Sequence, residues 1–276
     1  MGKRKSVKKS FSPRRRFKVK RIYLFLLCFI PITVITSTGF CKGILVAGYS
    51  FEEGSGKIAK DVTGNGHNGE IKNAKYVEGK FGKALEFDGV ESQVVIPHSD
   101  DMNFKEGVTV EAWVKPTRYS DLSAVVQKWG DNTNRRQYLL CFVSDKVRMY
   151  ISGSGGTWPS SESKNSVKTG EWTHIAGTYD GKVIRTFING KLETEVNNTE
   201  GLFASDVHAL IGGYGPDIDF GSNRHFPGVI DEARYWNGAL NEKEINDVMK
   251  KSTEAIMAVD SLGKLGTTWG NLKINY

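Results

Sequence analysis

The stretch from Gly170 to Val196, GEWTHIAGTYDGKVIRTFINGKLETEV, decides the fold. It contains three short runs separated by Asp180-Gly181 and Asn189-Gly190. Two-residue hairpin loops need positive φ, which Gly adopts freely and which Asn and Asp tolerate better than most residues. Between the turns, Val183, Ile184, Phe187 and Ile188 are β-branched or aromatic and suit a pleated, half-buried surface. The spacing predicts a three-stranded meander. Such a unit is not stable alone in water, because its apolar side needs a second sheet or a helix over it.

The flanks supply more of the same. Upstream, VAGYSF, KALEFDG and SQVVIP read as strands, and VTVEAWVKP alternates. Val108, Val110, Ala112 and Val114 fall on one side of it and Thr109, Glu111, Trp113 and Lys115 on the other. Pro116 ends the run, having no amide hydrogen for a ladder. AVVQKWG, RQYLLCFV and KVRMYIS add three strands, and Ser152–Lys168 reads as a Ser/Gly loop around Trp158-Pro159. Downstream come HALIGGY and FPGVIDEARYWNGAL. Short strands punctuated by turn residues predict an all-β sandwich or barrel rather than alternating βα units. The one helix expected is Glu242 to Lys251. Asn241 caps it, Glu244 completes a capping box, Leu240 and Ile245 form a staple, and an edge of the sandwich is its expected seat.

Charge and cysteine content exclude several function classes. The chain carries +7, but residues 1–21 hold eleven Lys/Arg and no acid, which leaves −4 for the remainder. The basic balance belongs to the leader, so a nucleic-acid partner is not expected. After it come the apolar residues Ile22 to Ile35 and then Thr36-Ser37-Thr38-Gly39, the order of a secretory signal peptide. The apolar run is short for about 30 Å of hydrocarbon, and Pro31 interrupts it. The leader is therefore a cleaved signal or a signal anchor; membrane contact is expected only through it, and the rest is delivered outside the cytoplasm. Cys28, Cys41 and Cys141 give no disulfide framework.

YSFEEGSG, KDVTGNGHNG, ALEFDG, VTVEAWVKP, GEWTHIAGTYDGKVIRTFING, ALIGG and FPGVIDEARYWNGAL follow one another from Val46 to about Lys251. In that order they resemble the laminin-G-like, concanavalin-A-like jelly-roll domains of secreted bacterial proteins. The resemblance implies a two-sheet antiparallel jelly-roll sandwich with its two ends close together. Residues 1–41 then form the leader, 42–251 the domain and 252–276 an appended segment. It also implies a secreted or envelope-associated, non-catalytic module that binds carbohydrate or an extracellular protein and commonly holds a structural calcium. Two alternatives stand beside it: a laminarinase-like glycoside hydrolase on the related fold, and a structural or adhesive envelope protein.

Calcium takes six to eight oxygen ligands. The candidate donors are Glu52, Asp61, Asn65, Asn68, Asp88 and Asp231. Glu52, Asn68, Asp88 and Asp231 make up the expected set, and by similarity to the family Glu52 and Asp231 meet at one rim. Asp61, Asn65 and Asn68 serve equally as turn formers. For hydrolysis, Glu86-Phe87-Asp88-Gly89-Val90-Glu91 fits Glu-x-Asp-x-x-Glu, but retention needs two carboxyls about 5–5.5 Å apart. Gly89 places Glu91 beyond a turn, away from Glu86 and Asp88. A sugar site needs an exposed aromatic beside a few fixed polar groups. Trp113 and Trp172 sit in strand patterns that read as core, whereas Trp158 lies in a polar loop, where binding residues concentrate. Tyr214, Asp217, Asp219, Asn223 and Arg224 in YGPDIDFGSNRHF complete the expected ligand set. Trp129 and Tyr138, flanking residues 131–136, rank behind it.

Overall fold

The computed structural model describes residues 43–130, 135–152, 157–214 and 224–259, besides the isolated Gly2. The leader and residues 260–276 lie outside them. Two eight-stranded sheets pack face to face. The first runs β14 (Lys191–Asn197), β13 (Val183–Ile188), β12 (Thr173–Tyr179), β7 (Val108–Pro116), β16 (Pro227–Asn237), β5 (Lys83–Asp88) and β4 (Lys75–Glu78). Its eighth strand, β1 (Ile44–Tyr49), pairs with the C-terminal half of β16, Ile44 opposite Asn237. The second runs β11 (Ser160–Ser166), β10 (Lys146–Ile151), β9 (Arg136–Val143), β8 (Ser123–Trp129), β15 (Ala209–Ile211), β6 (Gln93–Ile96), β3 (Gly69–Lys72) and β2 (Ile58–Ala59). All the ladders joining these strands are antiparallel. This is the expected jelly-roll sandwich.

The meander forms as its turns dictate. Asn189 and Gly190 both take positive φ, 49° and 76°, and Ile188 pairs with Lys191 across them. The Asp180 carboxylate accepts the amides of Lys182 and Val183 to close the other turn. The inner face of β7 (Val108, Val110, Ala112, Val114) meets Tyr138, Leu140 and Phe142 of β9 in one apolar core.

The outer face of the first sheet is covered. Leu45, Ala176, Phe187 and Trp236 form a second apolar cluster with Leu240 and Ile245, joined by Val248, Ile256 and Met257. Helix α1 (Glu242–Val248) packs against edge strand β14, as expected, where the Leu192 amide donates to Glu242 at 3.1 Å, and its Ile245 reaches over the outer face into this cluster. It begins with the expected capping box between Asn241 and Glu244 and is followed by a second, unexpected helical run over residues 253–259. The cover explains why Thr109, Glu111 and Trp113 are as buried as the inner side of β7. Residues 160–166, expected in a loop, form edge strand β11. Its serines carry no apolar period, yet Ser161 and Ser163 are buried, and the Ser163 hydroxyl accepts the Val147 amide at 3.0 Å where the register shifts.

Candidate functional site

The outer face of the second sheet is built differently. Ala124, Trp129, Leu139, Cys141 and Tyr214 form an apolar patch there, with Leu122, Val143 and Tyr150 against it. The Trp129 and Tyr150 rings are 6.0 Å apart. The Arg136 guanidinium stands 5.4 Å from the Trp129 ring centroid and 4.6 Å from that of Trp158, within cation–π range of both. Its Nε donates to the Gly130 carbonyl at 3.0 Å. Beside Tyr150, Arg148 donates from Nη1 to the phenol oxygen at 2.6 Å and from Nε to Glu162 at 2.8 Å. The Arg224 guanidinium is 5.7 Å from the Tyr214 ring. Burial pushes the Tyr214 hydroxyl and the Cys141 thiol well up, against the pull of neighbouring guanidinium groups, so both stay neutral at physiological pH.

Of the expected ligand residues, Trp158, Tyr214 and Arg224 gather on or beside this face; Asp217, Asp219 and Asn223 lie outside the described residues. Trp158 is 52% exposed, while Tyr214 is buried at the base of the patch. Trp129 belongs to the patch, but Tyr138 points inward to the core. Trp113 is core as expected, and Trp172 is only half-buried. The sequence reading did not select Arg136, Arg148, Tyr150 or Glu162. Arg148 and Tyr150 were legible: in KVRMYIS they alternate with Val147, Met149 and Ile151, which all point into the core.

The expected metal donors separate into three places. Asp231 Oδ2 accepts the amides of Lys80 (2.8 Å) and Phe81 (2.9 Å), and Glu52 Oε1 accepts the amide of Lys83 (2.8 Å). Both carboxylates thus bind amides of the β4–β5 turn and of the first residue of β5. Asp231 is fully buried and its Oδ1 has no hydrogen-bond partner. Burial, with repulsion from Glu232, pushes its pKa up to about 8 in spite of the two amides. Asn68 stands elsewhere: its Oδ1 accepts the Asp61 amide at 2.9 Å, and Asp61 in turn binds the amides of Gly48, Thr63 and His67. Asn65 donates to the Val46 carbonyl in the same loop. Asp88 sits at the β5–β6 turn, where Oδ1 accepts the amides of Val90, Glu91 and Ser92 at 2.8, 3.0 and 3.1 Å. Asn68 and Asp88 thus serve turns apart from the Glu52–Asp231 pair. Among the described residues, no three His, Cys, Asp or Glu side chains cluster as a metal site.

The Glu86, Asp88, Glu91 pattern is broken as its glycine implies. Gly89 has φ 74°, and Glu91 lies beyond the turn that Asp88 closes. Partial burial opposes ionisation of Asp88, but the backbone amides and Ser92 outweigh it and lower the pKa to about 2. A carboxylate so held is committed to its turn.

A third polar cluster lies under the C-terminal helices. Fully buried Glu111 accepts from Trp236 Nε1 (3.0 Å) and Arg234 Nη1 (3.2 Å) and contacts His174 Nε2 (3.0 Å). Arg234 also reaches Glu232 (2.8 Å), Thr253 Oγ1 (2.8 Å) and the Lys251 carbonyl (2.6 Å). It ties residues 251–253 to the sheet.

A sandwich of two antiparallel eight-stranded sheets is a jelly-roll architecture. The sequence profile of the concanavalin A-like lectin/glucanases superfamily matches residues 88–246, more than half of the chain, and the chain belongs to that superfamily. No curated protein matches it. Among solved structures it is similar to domain 4 of AbnA, a GH43 extracellular arabinanase from Geobacillus stearothermophilus, in complex with arabinotriose. That likeness has 24% identity and a TM-score of 0.59, over 75% of this chain and 98% of that one. It is also similar to the binding domain of Paraclostridial Mosquitocidal Protein 1 (18%, TM-score 0.61, 74% of this chain and 51% of that one). A third is the botulinum neurotoxin serotype G binding domain (12%, TM-score 0.57, 74% and 50%). The chain spans about half the length of these two toxin domains, and at such identities the likeness is one of fold.

Proposed function

We propose that the domain is a non-catalytic, extracellular or envelope-associated recognition module that binds a glycan on the outer face of its second sheet. The observation that carries this reading is the row Tyr150–Trp129–Arg136–Trp158, anchored in the sheet at one end and half-exposed at the other. Sugar sites pair an aromatic surface with a few fixed polar groups. Trp158 supplies the exposed ring, and the Arg148–Glu162–Tyr150 group beside the row supplies donors and acceptors in fixed orientation. The arabinotriose bound by the arabinanase domain supports a saccharide ligand, and the extracellular setting of that enzyme supports the location. The toxin binding domains leave an extracellular protein as the competing partner. The turn-bound Asp88 supports the non-catalytic reading. The test is a glycan array probed with the chain and with Trp158→Ala: weakened binding in the variant supports the site, and equal binding refutes it.

The same reading includes a structural calcium ion held by Glu52 and Asp231. These are two hard carboxylates bound to amides at one turn, and the unpartnered, buried Asp231 Oδ1 is an oxygen that a cation would satisfy. The ion would supply counter-charge to that turn; Asn68 and Asp88 have no part in it.

A further inference from the structure

We propose that Arg136 is the positioning residue of the Trp158 platform: it holds the indole by one face, so that the other is presented flat to the ring of a sugar. This rests on the reading of Trp158 as the stacking ring. Arg136 is 7% exposed and its guanidinium lies over both indole rings, 5.4 Å from the Trp129 centroid and 4.6 Å from that of Trp158. Trp129 is fixed by the patch and by Tyr150, so the guanidinium has a rigid seat. Among the described residues of its own segment, Trp158 has no such seat. It precedes β11 outside any ladder, flanked by the Thr157 hydroxyl on Glu200 and the Pro159 carbonyl on the Ile151 amide.

A guanidinium suits this role and an ammonium does not. It is planar and delocalised and stacks on aromatic faces, whereas a lysine is a compact, strongly hydrated point charge on a flexible stem. With Arg136 between two rings, its charge serves the protein and leaves the outward face of Trp158 for the ligand. That face is suited to the C–H side of a sugar ring. Fixing a side chain before binding spares the ordering cost of binding, equivalent to about two- to tenfold in affinity.

The experiment uses the full chain with Arg136→Met, Arg136→Lys, Trp158→Ala and the Arg136→Met/Trp158→Ala double variant. Time-resolved fluorescence anisotropy, with Trp158→Phe subtracted, reads the mobility of the Trp158 ring without ligand. A fast component absent from the wild type should appear in Arg136→Met and persist in Arg136→Lys; unchanged anisotropy in both overturns the positioning role alone. Titration with arabinotriose and with cellohexaose gives the second readout. Arg136→Met should weaken binding about two- to tenfold when Trp158 is present and not at all when Trp158 is Ala, since the loss acts through the ring. Equal loss in both backgrounds overturns the proposal. Unchanged binding in Trp158→Ala overturns instead the platform reading beneath it.

Discussion

Replacing Arg234 with Met probes the tie between the C-terminal segment and the first sheet. Arg234 is fully buried between Glu111 (3.2 Å) and Glu232 (2.8 Å) and donates to Thr253 Oγ1 and to the carbonyls of Val248 and Lys251. Met matches the length of the aliphatic stem but leaves two buried carboxylates without that cation. Removing one partner of a buried pair costs about 3–5 kcal/mol. Glu111 keeps His174 and Trp236, whereas Glu232 keeps only Thr253, so most of the loss falls on Glu232. For a domain of this size about 1 kcal/mol moves Tm by roughly 2–4 °C, so Arg234→Met should lower Tm by roughly 6–20 °C. Calorimetry supplies the number, and hydrogen exchange should show faster exchange of amides in residues 249–257 before global unfolding. Arg234→Lys should fall between, keeping charge but losing the fork. A fall below about 3 °C in Arg234→Met, with protection of 249–257 retained, would refute the idea that this cluster clasps the segment.

Three further outcomes are expected. In metal-free buffer, a chelator should lower Tm by several degrees, and Asp231→Asn should remove the difference; identical melts with and without calcium exclude the ion. Asp88 has its pKa lowered to about 2 in the fold against 3.8 unperturbed, so its contribution to stability is present above pH 4 and lost as pH falls toward 2. An acid-unfolding series should show Asp88→Asn lacking that part of the loss; superimposable wild-type and variant profiles would count against the turn role. A β-glucan panel should yield no reducing sugar, and release abolished by Glu86→Gln would restore the hydrolase alternative.

Much of the fold was legible because local chemistry and global packing agree in it. Asn189-Gly190 admits one kind of turn, and Asn241 with Glu244 marks one helix start. The strand alternation of VTVEAWVKP correctly sorted Val108, Val110, Ala112 and Val114 to the core. It could not show that Glu111 is buried too, since that depends on a helix more than a hundred residues later in the chain. Strand β11 escaped notice because serines at its buried positions leave no apolar period.

The site was legible in its exposed member and opaque in its support. Trp158 stood out as an aromatic in a polar loop. Arg136 did not, because alternation within β9 places it with Tyr138, Leu140 and Phe142 on the core side. A register shift between Lys128 and Trp129, opposite Tyr138 and Arg136, breaks that alternation. Glu52 and Asp231 were brought together by family likeness, whereas Asn68 and Asp88 entered as oxygen donors and proved to be turn formers.

The measurement that bears most directly on the central claim is a ¹H–¹⁵N spectrum of the indole N–H groups while a glycan from the array is titrated in. The Trp158 signal should move with ligand, and Trp129 by less through Arg136. Trp113 and Trp236, bonded to the Met249 carbonyl and to Glu111 on the opposite sheet, should stay in place. Movement of Trp113 and Trp236 with a stationary Trp158 would put the ligand on the other face and contradict the account.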